Sequence, residues 1–360
     1  MKSSHFRFTS LGIFALCFGY FLFYIPFSMM TKMITRGLFD GMNGVGIEGF
    51  ELQPMVIVIS TVCMLTFITA AGWWKYMTHS SVLGISLPRP QWFTFISGIC
   101  MGGQIITTVL AYTFQGVSIV FVMLLMRGGV LIMAPVVDLI ARRKRKIYWP
   151  SWVAACLSLM AVLIAFAEQA GTAMTVVATV DVGLYLLGYF FRLLFMSNRA
   201  KTEDPIEKRR FFAEEQVTAN IVLLLTLLVV GLIGSRMDPQ SIPGMIWSGF
   251  STVPFLGYFP QIIIIGVSSY AVGLLGSLIY LDQRENTFTV PANRASSVLA
   301  GLVATSLLAF FFGRRFPGPF QLIAVGLVIG AIFFLYYRSI SPLPLGRGFE
   351  GRGRKQSEPI

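Results

Sequence analysis

The sequence predicts an all-α polytopic membrane protein with ten transmembrane helices arranged as two inverted five-helix repeats. Three observations carry that prediction. First, charged residues make up only 12% of the 360 residues, against 55% hydrophobic. A soluble domain carries about 25% charged residues, and a lipid-facing surface needs none. Second, uncharged stretches recur at about 20 residues, the length of a helix that crosses a bilayer core. Third, the two halves of the chain match weakly at an offset of 168 residues.

Taken in order, segments 9–31, 52–74, 147–167, 216–235 and 316–337 contain no charge. The first is longer than the apolar region of a signal peptide and lacks a small-residue cleavage site, so it is expected to stay as a membrane helix. The uncharged run 91–126 is too long for one helix. It is divided at Phe114-Gln115-Gly116, where a tight turn fits, into a third and a fourth helix. The run 239–281 opens with Pro239, Pro243, Gly244 and Pro254, which predicts a loop and then a helix from about 255. Segments 176–196 and 287–313 complete the ten and carry interior charge: Asp181 and Arg192 in the first, Arg294 in the second. The expected units are residues 9–167, residues 168–338 and a basic, disordered tail at 339–360.

Lys and Arg orient the chain. With both termini in the cytoplasm, twenty of the twenty-eight basic residues fall inside, including the run Arg142-Arg143-Lys144-Arg145-Lys146. Outside lie Lys32 or Arg36, Arg236 and Arg314-Arg315. The net charge of +12 is therefore a topology signal. It points to contact with membrane lipids and away from nucleic acid. A bacterial inner membrane is the favoured location, and a homodimer is compatible with the sequence.

At the offset of 168, Gly98 falls on Gly266, Tyr112 on Tyr280 and Gln115 on Gln283. At 167, Arg127 falls on Arg294, Trp149 on Phe316 and Pro150 on Pro317. Five helices per half is odd, so the second half enters the membrane inverted. Such repeats place a substrate site near the midplane between the halves, and rocking of one half on the other gives alternating access.

Arg127 is expected about 15 Å into the fourth helix, on a rise of 1.5 Å per residue, with Arg294 as its counterpart. An arginine at a helix centre costs about 2.5–3.5 kcal/mol and usually faces a cavity or a partner. The functional reading is a pair of cations that attract a phosphate or carboxylate. The structural reading is pairing to carbonyls or to a carboxylate such as Asp181. Asn293, Gln104, Tyr112, Tyr185, Tyr189, Asn220, Tyr270 and Tyr280 are further polar groups in the spans that could line a cavity. The substrate-binding set is taken as Arg127, Arg294, Asn293, Gln104, Tyr112, Tyr280 and Asn220, with Asp181 as the coupling or counter-ion carboxylate. Arg192 is expected to snorkel, and Asp138 to neutralise the basic run beside it. Gly98 with Gly102, and Gly326 with Gly330, have the spacing of close helix packing. Pro135 and Pro291 would kink their helices and could act as hinges.

Cys17, Cys63, Cys100 and Cys156 all lie in apolar runs, and His5 and His79 in polar flanks. No metal site, nucleophile set or cofactor is expected, which argues against an enzyme.

The inverted duplication and residues 121–135, Phe-Val-Met-Leu-Leu-Met-Arg-Gly-Gly-Val-Leu-Ile-Met-Ala-Pro, resemble the drug/metabolite transporter superfamily, with its EamA-type permeases and nucleotide-sugar transporters. Residues 285–338 look like the matching last two helices. The sequence departs from that pattern in three places. Arg142–Lys146 stands where EamA-type repeats often carry a glutamate. The motifs of GDP-mannose carriers are absent, and no acid lies in segment 9–31. The resemblance implies a secondary transporter of a small organic metabolite, and the two deep arginines favour an anionic or phosphorylated substrate. The alternatives are a translocase for lipid or lipid-linked phosphate, for which a laterally open cavity would be the sign, and a non-transporting receptor or scaffold.

Overall fold

The computed structural model describes residues 10–82, 85–110, 119–142, 146–167, 176–202, 204–313 and 318–340. It is an all-α fold. The helices are α1 (Ser10–Thr35), α2 (Gly49–Ala70), α3 (Trp92–Leu110), α4 (Ile119–Ile140), α5 (Trp149–Ala167), α6 (Val176–Phe195), α7 (Pro205–Gly234), α8 (Ile242–Ser251), α9 (Phe259–Tyr280), α10 (Asn286–Phe312) and α11 (Pro319–Ile340). Among the described residues, seven helices are long and apolar enough to cross a membrane: α1, α2, α6, α7, α9, α10 and α11. Helices α3, α4 and α5, of 19, 22 and 19 residues, pack among them.

Large apolar side chains such as Phe18, Val62, Ile132, Leu139, Val229 and Phe310 stand exposed on the outside of the bundle, while Glu214, Glu215, Asn286 and Thr287 are fully buried. In water such a surface would aggregate. In lipid it is the expected one, because the bilayer solvates the apolar shell and the polar groups must pair inside. The chain is a multi-pass membrane protein.

Helix ends alternate between two ends of the bundle. The start of α1 meets the end of α11 through Phe14 and Tyr336, whose rings are 5.6 Å apart. This end is called the terminal end below. At it, the end of α4 and the starts of α5 and α10 meet through Asp138, Ser151 and Glu285. The end of α2 and the starts of α3 and α7 meet there through Trp73, Phe93, Phe211 and Phe212. At the opposite end Lys32 of α1 donates to Thr305 of α10 at 3.2 Å, and Ser248 of α8 donates to Glu51 of α2 at 2.6 Å. Around the bundle, α3 packs on α6 and α7, α9 on α1 and α2, α4 on α5 and α6, and α10 on α1 and α11. Helix α2 meets α7, α4 meets α10, and α5 meets α11.

Three elements differ from expectation. Helix α7 begins at Pro205, eleven residues before the expected 216, because Asp204 caps it and the charged stretch that reads as a loop is paired. Residues 239–254, expected as loop, contain α8, capped by Ser241 with Pro243 in its first turn, and the helix expected from about 255 starts at Phe259. Between α2 and α3 a short hairpin pairs His79–Val82 with Ile85–Pro88. The expected turn at 114–116, Tyr112, Arg143–Arg145 and Arg314–Pro317 lie outside the described residues.

Gly98 and Gly266 each sit at a close helix crossing. A Cβ on Gly98 would stand 2.6 Å from Thr218 Cβ where α3 crosses α7. One on Gly266 would stand 2.6 Å from Ile59 Cβ where α9 crosses α2. Gly102 abuts Ala219 O and Gly330 abuts Leu157, but Gly326 faces open space and takes no part in packing.

Candidate functional site

At the heart of the bundle, α1, α4, α6, α9 and α10 bring tyrosines around two arginines. Arg294, eight residues into α10 (286 to 294), lies about 12 Å along the helix. Its guanidinium is buried and sits over the Tyr189 ring of α6, 5.1 Å from the centroid. Its Nε and Nη2 have no hydrogen-bond partner, and among the described residues no carboxylate ion-pairs with it. Half-buried Arg127 donates to Tyr24 Oη of α1 at 3.2 Å. Tyr24 stacks on Tyr20, which lies within electrostatic reach of both arginines. Tyr189 packs against Tyr185 at 4.9 Å and Tyr280 at 6.4 Å, and Tyr280 Oη donates to Asn293 Oδ1 at 2.9 Å. Asn293 Nδ2, like the two arginine nitrogens, is buried without a partner.

Burying an unpaired donor costs about 1–3 kcal/mol, and more when it is charged. A desolvated cation–π contact returns about 2 kcal/mol. The Tyr189 ring therefore does not offset the three empty N–H groups on Nε and Nη2. What would is an acceptor-rich occupant, for which the excess of donors is suited.

A second cluster adjoins the first. Arg192 is buried, and its Nε and Nη2 donate to Glu215 Oε1 and Oε2 of α7 at 3.0 and 3.1 Å. Ser97 Oγ of α3 donates to Glu215 Oε1 at 2.6 Å. Arg192 Nη2 also donates to Ser277 Oγ at 2.8 Å, while Nη1 reaches Gln104 Oε1 only at 3.5 Å. Gln216 Nε2 donates to Ser277 Oγ at 3.0 Å. The Arg192 guanidinium lies 5.9 Å from the Tyr280 ring, so both arginines lie against the Tyr189–Tyr280 pair.

These contacts revise several expectations. Arg192 does not snorkel; it is the cation of a buried ion pair. Asp138 has a structural partner at the start of α10. Its two oxygens accept from Asn286 N, Asn286 Nδ2, Thr287 N and Thr287 Oγ1 at 2.7–2.9 Å, which caps α10. Asp181 is buried with both oxygens unpartnered and ion-pairs with neither deep arginine, so it is not their counter-ion. Asn220 bonds back to Gln216 O of its own helix at 2.9 Å, and Tyr270 packs near Phe67 instead of joining the tyrosine cluster. Arg127, Arg294, Asn293 and Tyr280 come together, and Gln104 belongs to the Arg192 cluster.

Glu215, Ser97, Ser277, Tyr20 and Tyr24 were not among the expected site residues. One signal for them was present. Arg192 lies eight residues before Ala200 and Glu215 ten after Pro205, so opposite charges sit at similar depth on either side of one short loop.

No family model matches the sequence, and no curated protein matches it. A crystal structure of another protein is similar over 92% of this chain and 99% of its own, with a TM-score of 0.59 and 13% sequence identity. At that identity the likeness is one of fold, and what the two chains share is the helical arrangement described above.

Proposed function

We propose that the protein is a secondary transporter of a small anionic or phosphorylated metabolite, working by alternating access between two inverted halves of five spans each. The observation that carries this reading is Arg294: a guanidinium buried at depth, with two nitrogens lacking a partner and no ion-paired carboxylate among the described residues. A scaffold would pair such a charge, as Arg192 is paired.

The architecture supports the reading. Exchanging α1 with α6, α2 with α7, α3 with α9, α4 with α10 and α5 with α11 turns the pairs α3–α6, α3–α7, α4–α6 and α4–α5 into α9–α1, α9–α2, α10–α1 and α10–α11, all of which pack. Gly98 and Gly266 exchange along with them. Each half holds an odd number of alternating long helices, so the second runs opposite to the first, the arrangement in which a central site is reached from either side in turn. The same features support membership of the drug/metabolite transporter type.

A cleft of about 270 Å³ between α1, α10 and α11, lined by Phe14, Cys17, Phe18, Ala292 and Ser296, is the feature that would favour a lipid translocase. At about 100° per residue, Ala292 and Ser296 lie on the face of α10 turned away from Arg294, so a lipid tail there would not bring its headgroup to the arginine.

The test is a thermal-stability screen of the purified protein against organic anions and phosphates. A ligand at about 100 times its dissociation constant adds about 2.7 kcal/mol. Arg294→Gln is expected to abolish that gain and Arg127→Gln to weaken it. Stabilisation that survives Arg294→Gln, or that comes from lipids or cations alone, overturns the proposal.

A further inference from the structure

We infer that Arg192 heads a second anion subsite, held by Glu215 as a resident carboxylate until an anionic group of the substrate takes its place. This rests on the transporter reading and narrows its substrate to molecules with two anionic groups, such as dicarboxylates or phosphorylated acids.

The geometry is that of a carboxylate-binding site. Both Glu215 oxygens engage one guanidinium through Nε and Nη2 at 3.0 and 3.1 Å, the two-pronged fork in which arginine binds a free carboxylate. Ser97 supplies a third donor from another helix. Every partner of Glu215 is a side chain, and side chains can turn away. Neighbouring Glu214 accepts from Thr78 N and Gln91 N, and Asp138 from Asn286 N and Thr287 N, backbone groups that hold those carboxylates in place.

The cradle has donors to spare. Among the described residues, Arg192 Nη1 reaches only Gln104 Oε1, at 3.5 Å. Gln104 Nε2 beside it is buried with no partner. The subsite is also continuous with the first one, since Arg192 and Arg294 both lie against the Tyr189–Tyr280 pair. Charge sets the valence. Arg127, Arg192 and Arg294 against Glu215 leave two positive charges around the tyrosines, which a dianion neutralises and a monoanion does not.

The experiment uses full-length protein in detergent and reads the unfolding midpoint. Glu215→Ala leaves Arg192 without its carboxylate, and sodium acetate is expected to raise that variant's midpoint by about 5 °C over equimolar sodium chloride, leaving the wild type unmoved. In the wild type, succinate or glycerol 3-phosphate is expected to raise the midpoint at concentrations about tenfold below the highest at which acetate has no effect. Arg192→Gln with Glu215→Gln, which keeps a neutral hydrogen-bonded pair, is expected to lose that tenfold preference. A folded Glu215→Ala indifferent to acetate, or a double variant that still prefers dianions, overturns the subsite; if Glu215→Ala does not fold, the double variant decides. Acetate rescue in a protein whose wild type answers to no anion keeps the subsite and overturns the transporter reading instead.

Discussion

A guanidinium at the middle of a membrane helix costs about 2.5–3.5 kcal/mol, and the three buried or half-buried arginines of this core meet that cost in three ways. Arg192 has a carboxylate and Arg127 a tyrosine hydroxyl, whereas Arg294 lies against Tyr189 with Nε and Nη2 unpartnered. The difference gives opposite expectations for the same substitution. Arg192→Met strands a buried Glu215 and should destabilise the ligand-free protein by about 3–5 kcal/mol. Arg294→Met removes a charge whose donors are empty and should stabilise it by about 1–2 kcal/mol. Unfolding of both variants in the same detergent measures the contrast; equal losses would mean that Arg294 has a partner. Arg127 and Arg294 could be picked out because a charge inside an apolar run stands out by itself. Glu215 could not, because it ends a charged stretch that looks like the edge of a loop, and only the pairing of Arg192 across helices reveals that it is buried.

At the level of the helix, ends and crossings carry the information. Helix α10 starts where α4 stops, and Asp138 takes two of its free N–H groups together with the Asn286 and Thr287 side chains. Asp138→Ala leaves those groups buried and unmet, and should cost about 2–3 kcal/mol in unfolding experiments, with Asp138→Asn losing less. At the crossings, Gly98→Val and Gly266→Val each force a side chain into space already filled by Thr218 or Ile59. Each should lose about 1–3 kcal/mol, whereas Gly326→Val, in open space, should change little. The seven long apolar helices were legible because about 20 apolar residues admit few other structures. The start of α7 and the existence of α8 were not. Charge in one case and a cluster of prolines in the other mimic a loop unless the capping contacts of Asp204 and Ser241 are known.

For the molecule as a whole, the alternating helix ends put the beginning of α1 and the end of α11 side by side. Tags fused to the two termini should therefore report the same side of the membrane, the cytoplasmic one by the distribution of Lys and Arg. Tags on opposite sides would require an odd number of crossings and would exclude two five-span halves. The terminal end is also where carboxylates link elements from the first and second parts of the chain: Asp138 to α10, Glu285 to Ser151 of α5, and Glu214 to the start of α3. None of these links joins sequence neighbours, so no local pattern announces them.

Synthesis proceeds from the amino end, so Tyr20, Tyr24, Tyr185, Tyr189 and Tyr280 have all left the ribosome before Arg294 does. The residue least welcome in lipid is the last of the group to be delivered, and the rings that receive it are made beforehand. For a nascent chain that must leave the insertion machinery one helix at a time, the tyrosine cluster is a landing place for that charge.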